Sequence, residues 1–259
     1  MDVPEAALME VAVEAAQAAA AELMGRFGRR VDGVRAKSGP TDLVSEADLA
    51  AEAAIRRVLG ARRPDDAVLG EEEGETGSGP LRWVIDPLDG TINFLFGLPQ
   101  FAVSVACEDR AGAIVGLVLD PVRHELFAAT RSGQATLDGA PIAGSGRDDL
   151  DRALVGTGFA YDASVRAAQA AVLARVLPRV RDIRRAGAAA LDLCWCACGR
   201  LDAYYERGLK HWDHAAGGLI AARAGLMLRR LAPTGDAPEG LLAAPPKLVD
   251  ELLELVIGT

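Results

Sequence analysis

Cysteine, histidine, aromatic residues and positive charge are all scarce in this chain of 259 residues. Four cysteines, Cys107, Cys194, Cys196 and Cys198, are too few for a disulfide scaffold at this length. Their C-x-C-x-C run also lacks the two-residue gaps of a zinc knuckle. Cys194 and Cys198 stand four apart, which predicts packing on one buried helix face. No apolar stretch reaches the roughly 18 residues of a membrane span, because charges interrupt each run. The start, Met1-Asp2-Val3-Pro4-Glu5, has no basic n-region, so a soluble, reducing, cytoplasmic setting without a secretory signal is expected. Lysine and arginine number 28 against 37 aspartates and glutamates. The formal charge of −9 argues against a broad basic footprint, and no nucleic-acid partner is expected. Phosphate ligands stay open, since bound cations can reverse the local sign of a site.

What is present is an ordinary globular balance, half apolar and a quarter charged. The length suits one large domain or two intimate halves. Pro4 to Phe27 reads as a helix with Pro in its first turn. Val31 to Lys37 reads as a strand, broken at Gly39-Pro40. Ser45-Glu46-Ala47-Asp48 has the capping-box pattern and opens a second helix to about Leu59. Short β-like runs follow: Ala67 to Leu69, a Gly- and Ser-rich loop to Pro80, then an apolar strand Leu81 to Ile85 ended by Asp86-Pro87. Phe101 to Ala106 and Ala113 to Leu119 form a hairpin, and Asp138-Gly139 marks a further tight turn. Residues 1–148 therefore predict an α+β half, two helices against a mostly antiparallel sheet. From about Leu150 strands and helices alternate, so 149–259 predict an α/β half that completes the site.

Acids carry the chemical information. The strand before Asp86 delivers that residue to a sheet end, Pro87 fixes φ, and Asp89 follows on the turn. Gly90 permits geometry that a Cβ would obstruct, and a helix starting there would offer N–H groups to an anion. Two carboxylates beside an anion site require cations between them, and Mg²⁺ suits hard oxygen ligands best. Each acid alone has a plainer reading. Asp-Gly makes turns, Glu71 suits a solvated loop, Asp48 fits the N3 position of its capping box, and Asp213 fits an N-cap or helix-dipole role.

Taken in order, these segments resemble the inositol monophosphatase family of Mg²⁺-dependent, lithium-sensitive phosphatases. The matching motifs are Gly70-Glu71-Glu72, Trp83-x-x-Asp86-Pro87-Leu88-Asp89-Gly90-Thr91-x-Asn93-Phe94, and Trp212-Asp213-x-Ala215-Ala216-Gly217. Supporting matches are Lys37, Asp42 to Asp48, and Ala203-Tyr204-Tyr205-Glu206. The resemblance implies a layered αβαβα sandwich of the inositol monophosphatase and fructose-1,6-bisphosphatase type. It also implies a homodimer and cleavage of a small phosphorylated polyol with two or three Mg²⁺ ions. One ion would be held by Glu71, Asp86 and the Leu88 carbonyl, a second by Asp86, Asp89 and Asp213, and a weaker third on the Glu71 side. Thr91 and Asp48 match the pair that activates water with Glu71. Gly90 and Thr91 match backbone contacts to phosphate, while Asp89, Ala189, Glu206 and Asp213 line the substrate. Lys37, Glu72 and Asn93 would support from behind. With metals activating water, His124, His211 and His214 are not needed as bases.

Three places depart from the family pattern: Ala188 where a hydroxyl residue is common, Lys210-His211 before Trp212, and Leu226 to Arg230 after Ala224-Gly225. None touches the expected ligands, so they bear on substrate choice. Histidinol phosphate, fructose 1,6-bisphosphate and a 3′-phosphoadenosine nucleotide stand as alternatives to myo-inositol monophosphate. A non-catalytic protein binding a macromolecule is the alternative from another class.

Overall fold

A computed structural model describes residues 3–28, 35–39 and 42–258, with residues 35–39 and 42–44 as backbone. The N-terminal helix α1 (Glu5–Met24) follows Pro4 and turns Leu8, Val11, Ala12, Ala15, Ala16, Ala19 and Leu23 inward. That three-and-four spacing is the apolar stripe of a core-facing helix. A small antiparallel ribbon, β1 (Arg35–Gly39) and β2 (Asp42–Val44), leads to α2 (Glu46–Arg62). The expected strand from Val31 has residues 31–34 outside the described region, as are the Lys37 side chain and Pro40.

The larger sheet contains β3 (Ala67–Gly70), β4 (Gly74–Thr76), β5 (Arg82–Asp89), β6 (Ala102–Asp109), β7 (Gly112–Asp120), β8 (Glu125–Thr130), β9 (Thr136–Leu137) and β10 (Ala140–Pro141). Its order is β10-β9-β8-β7-β6-β5-β3-β4, antiparallel except where β3 lies beside β5. Between β5 and β6 comes the short helix α3 (Thr91–Leu95). The smaller sheet, ordered β12-β11-β13-β15-β14, is built from β11 (Leu154–Thr157), β12 (Asp182–Arg184), β13 (Ala203–Arg207), β14 (Met227–Leu231) and β15 (Gly240–Ala244). Interleaved with these strands are α4 (Ala163–Val176), α5 (Ala189–Ala197), α6 (His211–Arg223) and α7 (Val249–Ile257).

Alternation along the strands sets the layers. Trp83, Ile85, Val103, Val105, Val115 and Leu117 point to α1 and α2. Their neighbours Val84, Ala102, Ala106, Val118 and Phe127 point the other way, to α5 and α6. The far side of the small sheet closes on α4 and α7 through Val155, Val172, Tyr205, Leu242 and Leu252. The result is the expected αβαβα sandwich, each interface held by apolar burial at about 1.5–3 kcal/mol per large side chain. Small residues permit the close middle layer. A Cβ on Gly116 would stand 2.8 Å from the Ala216 carbonyl oxygen.

Two local expectations change. The strand does not end at Asp86-Pro87: β5 runs to Asp89 through a bulge, with Asp86 opposite Ser104 but Asp89 opposite Ala102. The Gly- and Ser-rich loop contributes β4, paired along β3. Among the described residues no helix is long and apolar enough to cross a membrane.

Candidate active site

The bulge in β5 decides where the two central acids point. Asp86 and Asp89 are three apart, a separation that places side chains on opposite faces of a regular strand. One extra residue restores them to the same side, and Pro87 lies inside the irregular stretch. Both then face a cavity of about 400 Å³, with Glu71, Leu88, Gly90 and Thr91 on the large-sheet side. Gly158, Ala189, Glu206 and Asp213 close it from the small-sheet side. Gly90 has φ 98°, and a Cβ there would meet the Gln100 carbonyl oxygen at 2.8 Å.

Helix N-termini converge on this cavity and engage its acids. Asp48 Oδ2 accepts from the Ser45 N–H (2.8 Å) and hydroxyl (2.6 Å), closing the capping box of α2. Its Oδ1 accepts from Thr91 Oγ1 at 2.9 Å, so the capping acid is also joined to the site. Thr91 Oγ1 also lies 3.1 Å from the Leu88 carbonyl oxygen. Asp89 is seated on the start of α5, accepting the Ala189 N–H at 3.0 Å and the Ala190 N–H at 2.7 Å. The expected substrate contact at Ala189 therefore cannot use that N–H. Asp213, at N3 of α6, accepts the Lys210 N–H at 2.6 Å. Positive helix ends offset part of the repulsion among these acids.

The rest of that repulsion shows in their acidities. Burial first, then the charges of Glu71, Asp89 and Asp213, hold Asp86 well above the usual carboxylate range. Asp89 is pushed up to about 7, burial outweighing its two N–H partners. Burial and the neighbouring Asp89 and Glu71 raise Asp213 as well. Burial raises Glu206, against the hydrogen bond donated by the Tyr204 hydroxyl. Among the described residues no arginine, lysine or histidine forms an ion pair with Asp86, Asp89 or Asp213. Nor do any three acids, histidines or cysteines among them stand close enough to ligate one cation as placed. Each of the three aspartates instead spends at least one oxygen on a backbone N–H.

The supporting residues divide. Asn93 donates to the carbonyls of Gln100 (2.7 Å) and Ala186 (2.9 Å), tying α3 to the loop before α5. Glu72 and Glu73 offer their N–H groups to Glu52, at 2.8 and 3.0 Å. Glu52 carries no motif of its own in the sequence, although it follows Asp48 by four residues on the same helix. It is buried and paired with Arg56, and Gly70 leaves room for it, since a Cβ there would come within 2.3 Å of Glu52 Oε1. Two other unforeseen residues are Arg185, a cation in the cavity wall, and Asp192, buried in α5 with Oδ1 unpartnered. Burial and the charges of Asp89 and Glu206 raise Asp192. His211 Nε2 lies 2.9 Å from Glu108 Oε2. Burial pushes His214 down to about 4, so its imidazole is neutral.

Fold and cavity define a class: an αβαβα sandwich of the inositol monophosphatase type with its acids gathered between the two sheets. The chain belongs to the Inositol monophosphatase family, whose sequence pattern matches residues 5–256. It is 45% identical to inositol-1-monophosphatase SuhB of Mycobacterium tuberculosis, over 96% of this chain and 92% of that one. It is 36% identical to a protein named Nus factor SuhB from Haemophilus influenzae, over 96% and 95% of the two chains. The crystal structure of the extragenic suppressor protein suhB from Bartonella henselae superposes with TM-score 0.88 at 34% identity, covering 96% of this chain and 98% of that one.

Proposed function

We propose that this protein is a Mg²⁺-dependent phosphomonoesterase, acting on a small phosphorylated polyol, with myo-inositol monophosphate the first candidate. One observation carries the reading: Asp86, Asp89 and Asp213, each raised in pKa by burial and neighbouring acids, face one cavity with Glu71, and among the described residues no cationic side chain pairs with these aspartates. Such a hard, oxygen-only set fits Mg²⁺. Glu71, Asp86 and the Leu88 carbonyl would hold one ion, and Asp86, Asp89 and Asp213 a second, with a third on the Glu71 side. Bound Mg²⁺ would polarise the phosphoryl oxygens and lower the pKa of water.

The chain's own groups supply orientation and proton handling. Thr91 directs its hydroxyl proton to Asp48, which leaves its lone pairs to accept a hydrogen bond from the attacking water. Asp48 is fixed in turn by Ser45, so the pair is ordered before substrate arrives. Glu71 flanks the same cavity and completes this trio. Gly90 and Thr91 receive phosphate at the start of α3. Glu206, held by Tyr204, accepts hydrogen bonds from substrate hydroxyls. Arg185 and Lys210 add positive charge to the wall facing an anionic substrate. A cytoplasmic, lithium-sensitive homodimer completes the proposal, with exposed Phe96 and Leu98 supplying apolar surface for pairing.

The name of the Haemophilus relative brings forward a macromolecular role, which can accompany catalysis without replacing it. Retention of Asp86, Asp89, Thr91 and Asp213 together favours turnover. Phosphate release from inositol monophosphate, histidinol phosphate, fructose 1,6-bisphosphate and 3′-phosphoadenosine 5′-phosphate, with Mg²⁺ and with excess EDTA, tests this. Metal-dependent release, fastest on inositol monophosphate, is expected. A different leading substrate would move the specificity assignment, and no release from any of them would overturn the enzyme reading.

A further inference from the structure

The parallel strands β11, β12 and β13 have two ends, and the candidate active site uses only one. Gly158, Arg185 and Glu206 stand at their carboxyl ends. At their amino ends lies a second concavity of about 660 Å³, reached by Leu154, Asp182 and Asp202. Strands of this length separate the two ends by about 10–15 Å. No step of the proposed hydrolysis involves the second cavity.

Its wall is dominated by arginine. Arg147, Arg152, Arg181, Arg184 and Arg200 line it, against the acids Asp182 and Asp202. In a protein of net charge −9, this concentration of positive charge runs against the average. The arginines are not equally committed. Arg200 is taken by both oxygens of Glu125, at 2.6 and 2.5 Å. Arg184 is held by Asp182 at 2.6 Å. Arg147 Nε is held at 3.3 Å by Asp202, which is buried and anchored by the Leu154 N–H at 2.8 Å. Arg152 has only a 3.8 Å contact with Asp149. Arg181 has no side-chain hydrogen bond or ion pair among the described residues.

We propose that this cavity is a second anion-binding site, for a small ligand carrying two or more phosphoryl groups. Guanidinium groups bind phosphate through paired N–H donors, and those of Arg152 and Arg181 are free to do so. The volume lies within the range of small-molecule sites and exceeds the needs of one phosphate. The surrounding negative charge selects against a long polyanion such as nucleic acid, which would extend beyond the positive wall. The chemistry is shared by inorganic polyphosphate and by the phosphate chain of a nucleotide.

Calorimetric titration of the full chain with inorganic tripolyphosphate, and separately with adenosine triphosphate, tests the site. Metal-free buffer with EDTA makes the experiment independent of hydrolysis and of the metal assignment. One-to-one binding that weakens as salt rises is expected. The doubly substituted R152E/R181E protein should bind at least about tenfold more weakly. Arg152 and Arg181 are exposed, so melting temperature and circular dichroism should remain those of the wild type. Similar affinity for the two ligands would mean that the phosphates alone are read, and tighter adenosine triphosphate would add a base contact; both support the site. Absence of binding would overturn it. So would binding unchanged in R152E/R181E but lost in R185E, which would return the anion to the active-site cavity.

Discussion

Mg²⁺ should raise the melting temperature of this protein, and raise it more at pH 8 than at pH 6.5. In the metal-free fold Asp89 holds its proton up to about pH 7, whereas an unfolded aspartate releases it near 3.8. A carboxyl with a raised folded pKa contributes stability that is full below the unfolded pKa and lost as pH rises through the folded one. At about 1.4 kcal/mol per proton per pH unit, Asp89 alone removes roughly 1 kcal/mol between pH 6.5 and 8. For a chain of this size that is a fall in melting temperature of about 2–4 °C. Asp86 and Asp213, raised by the same causes, act in the same direction. The window starts at pH 6.5 because His214, depressed to about 4, has the opposite sign between there and the ordinary histidine value. Mg²⁺ at a hundred times its dissociation constant adds about 2.7 kcal/mol, or about 5–11 °C. Its binding requires deprotonated carboxylates, so the falling trend should flatten or reverse when it is present. Differential scanning calorimetry at pH 6.5, 7.25 and 8, with EDTA or Mg²⁺, measures both effects. A metal-free protein whose melting temperature holds or climbs across that window, with no response to Mg²⁺, would refute the reasoning. Asp89→Asn should show a weaker dependence on pH and metal.

Thr91→Ala should lower kcat by about 10²–10⁴ while changing KM far less, if the hydroxyl orders water for proton transfer; equal changes in the two would assign Thr91 to substrate binding. Glu52→Ala leaves two backbone N–H groups without their acceptor and takes one partner from Arg56, which keeps Glu73, Thr76 and the Gly74 carbonyl, and should cost about 1–3 kcal/mol in urea unfolding. A loss below about 1 kcal/mol would show that the cradle under residues 71–73 is not structural. Glu206→Gln should alter relative rates across the substrate panel more than the rate on any simple phosphate monoester, and an unchanged ranking would count against its contact with hydroxyls.

Much of this architecture is legible in the residues because periodicity and site chemistry agree. The even and odd positions of β6, and of β7 beyond the irregularity at Ile114, sort between two helix layers, and the capping box of α2 forms as its sequence implies. The end of β5 differs from its sequence expectation because Pro87, taken alone, signals termination. A bulge absorbs the missing N–H and lets pairing resume at Asp89. β14 occupies Met227–Leu231, a run whose two arginines mask its strand character in the sequence.

For the acids at helix ends, capping and a place in the site are compatible roles. A carboxylate has two oxygens. At the N3 position of a helix one oxygen closes the cap, and the other is available to whatever lies beyond the helix start. Asp48 uses Oδ2 on Ser45 and Oδ1 on Thr91, while Asp213 uses Oδ2 on Lys210 and still lines the cavity. Capping thus fixes the carboxylate's position before any ligand binds, and the helix dipole lowers the energy of keeping several acids close. Glu52, Arg185 and Asp192 lie outside the motifs that single out the other residues of the site. Glu52 meets the Glu72 N–H across 20 residues, a contact that no local spacing encodes, and Asp192 feels the charge of the distant Asp89. Asp48 and Asp213 are legible from their own helix ends and Asp89 from its motif, although Asp89 caps α5 a hundred residues on; an acid such as Glu52, placed by a distant backbone segment and outside any motif, becomes visible only after folding.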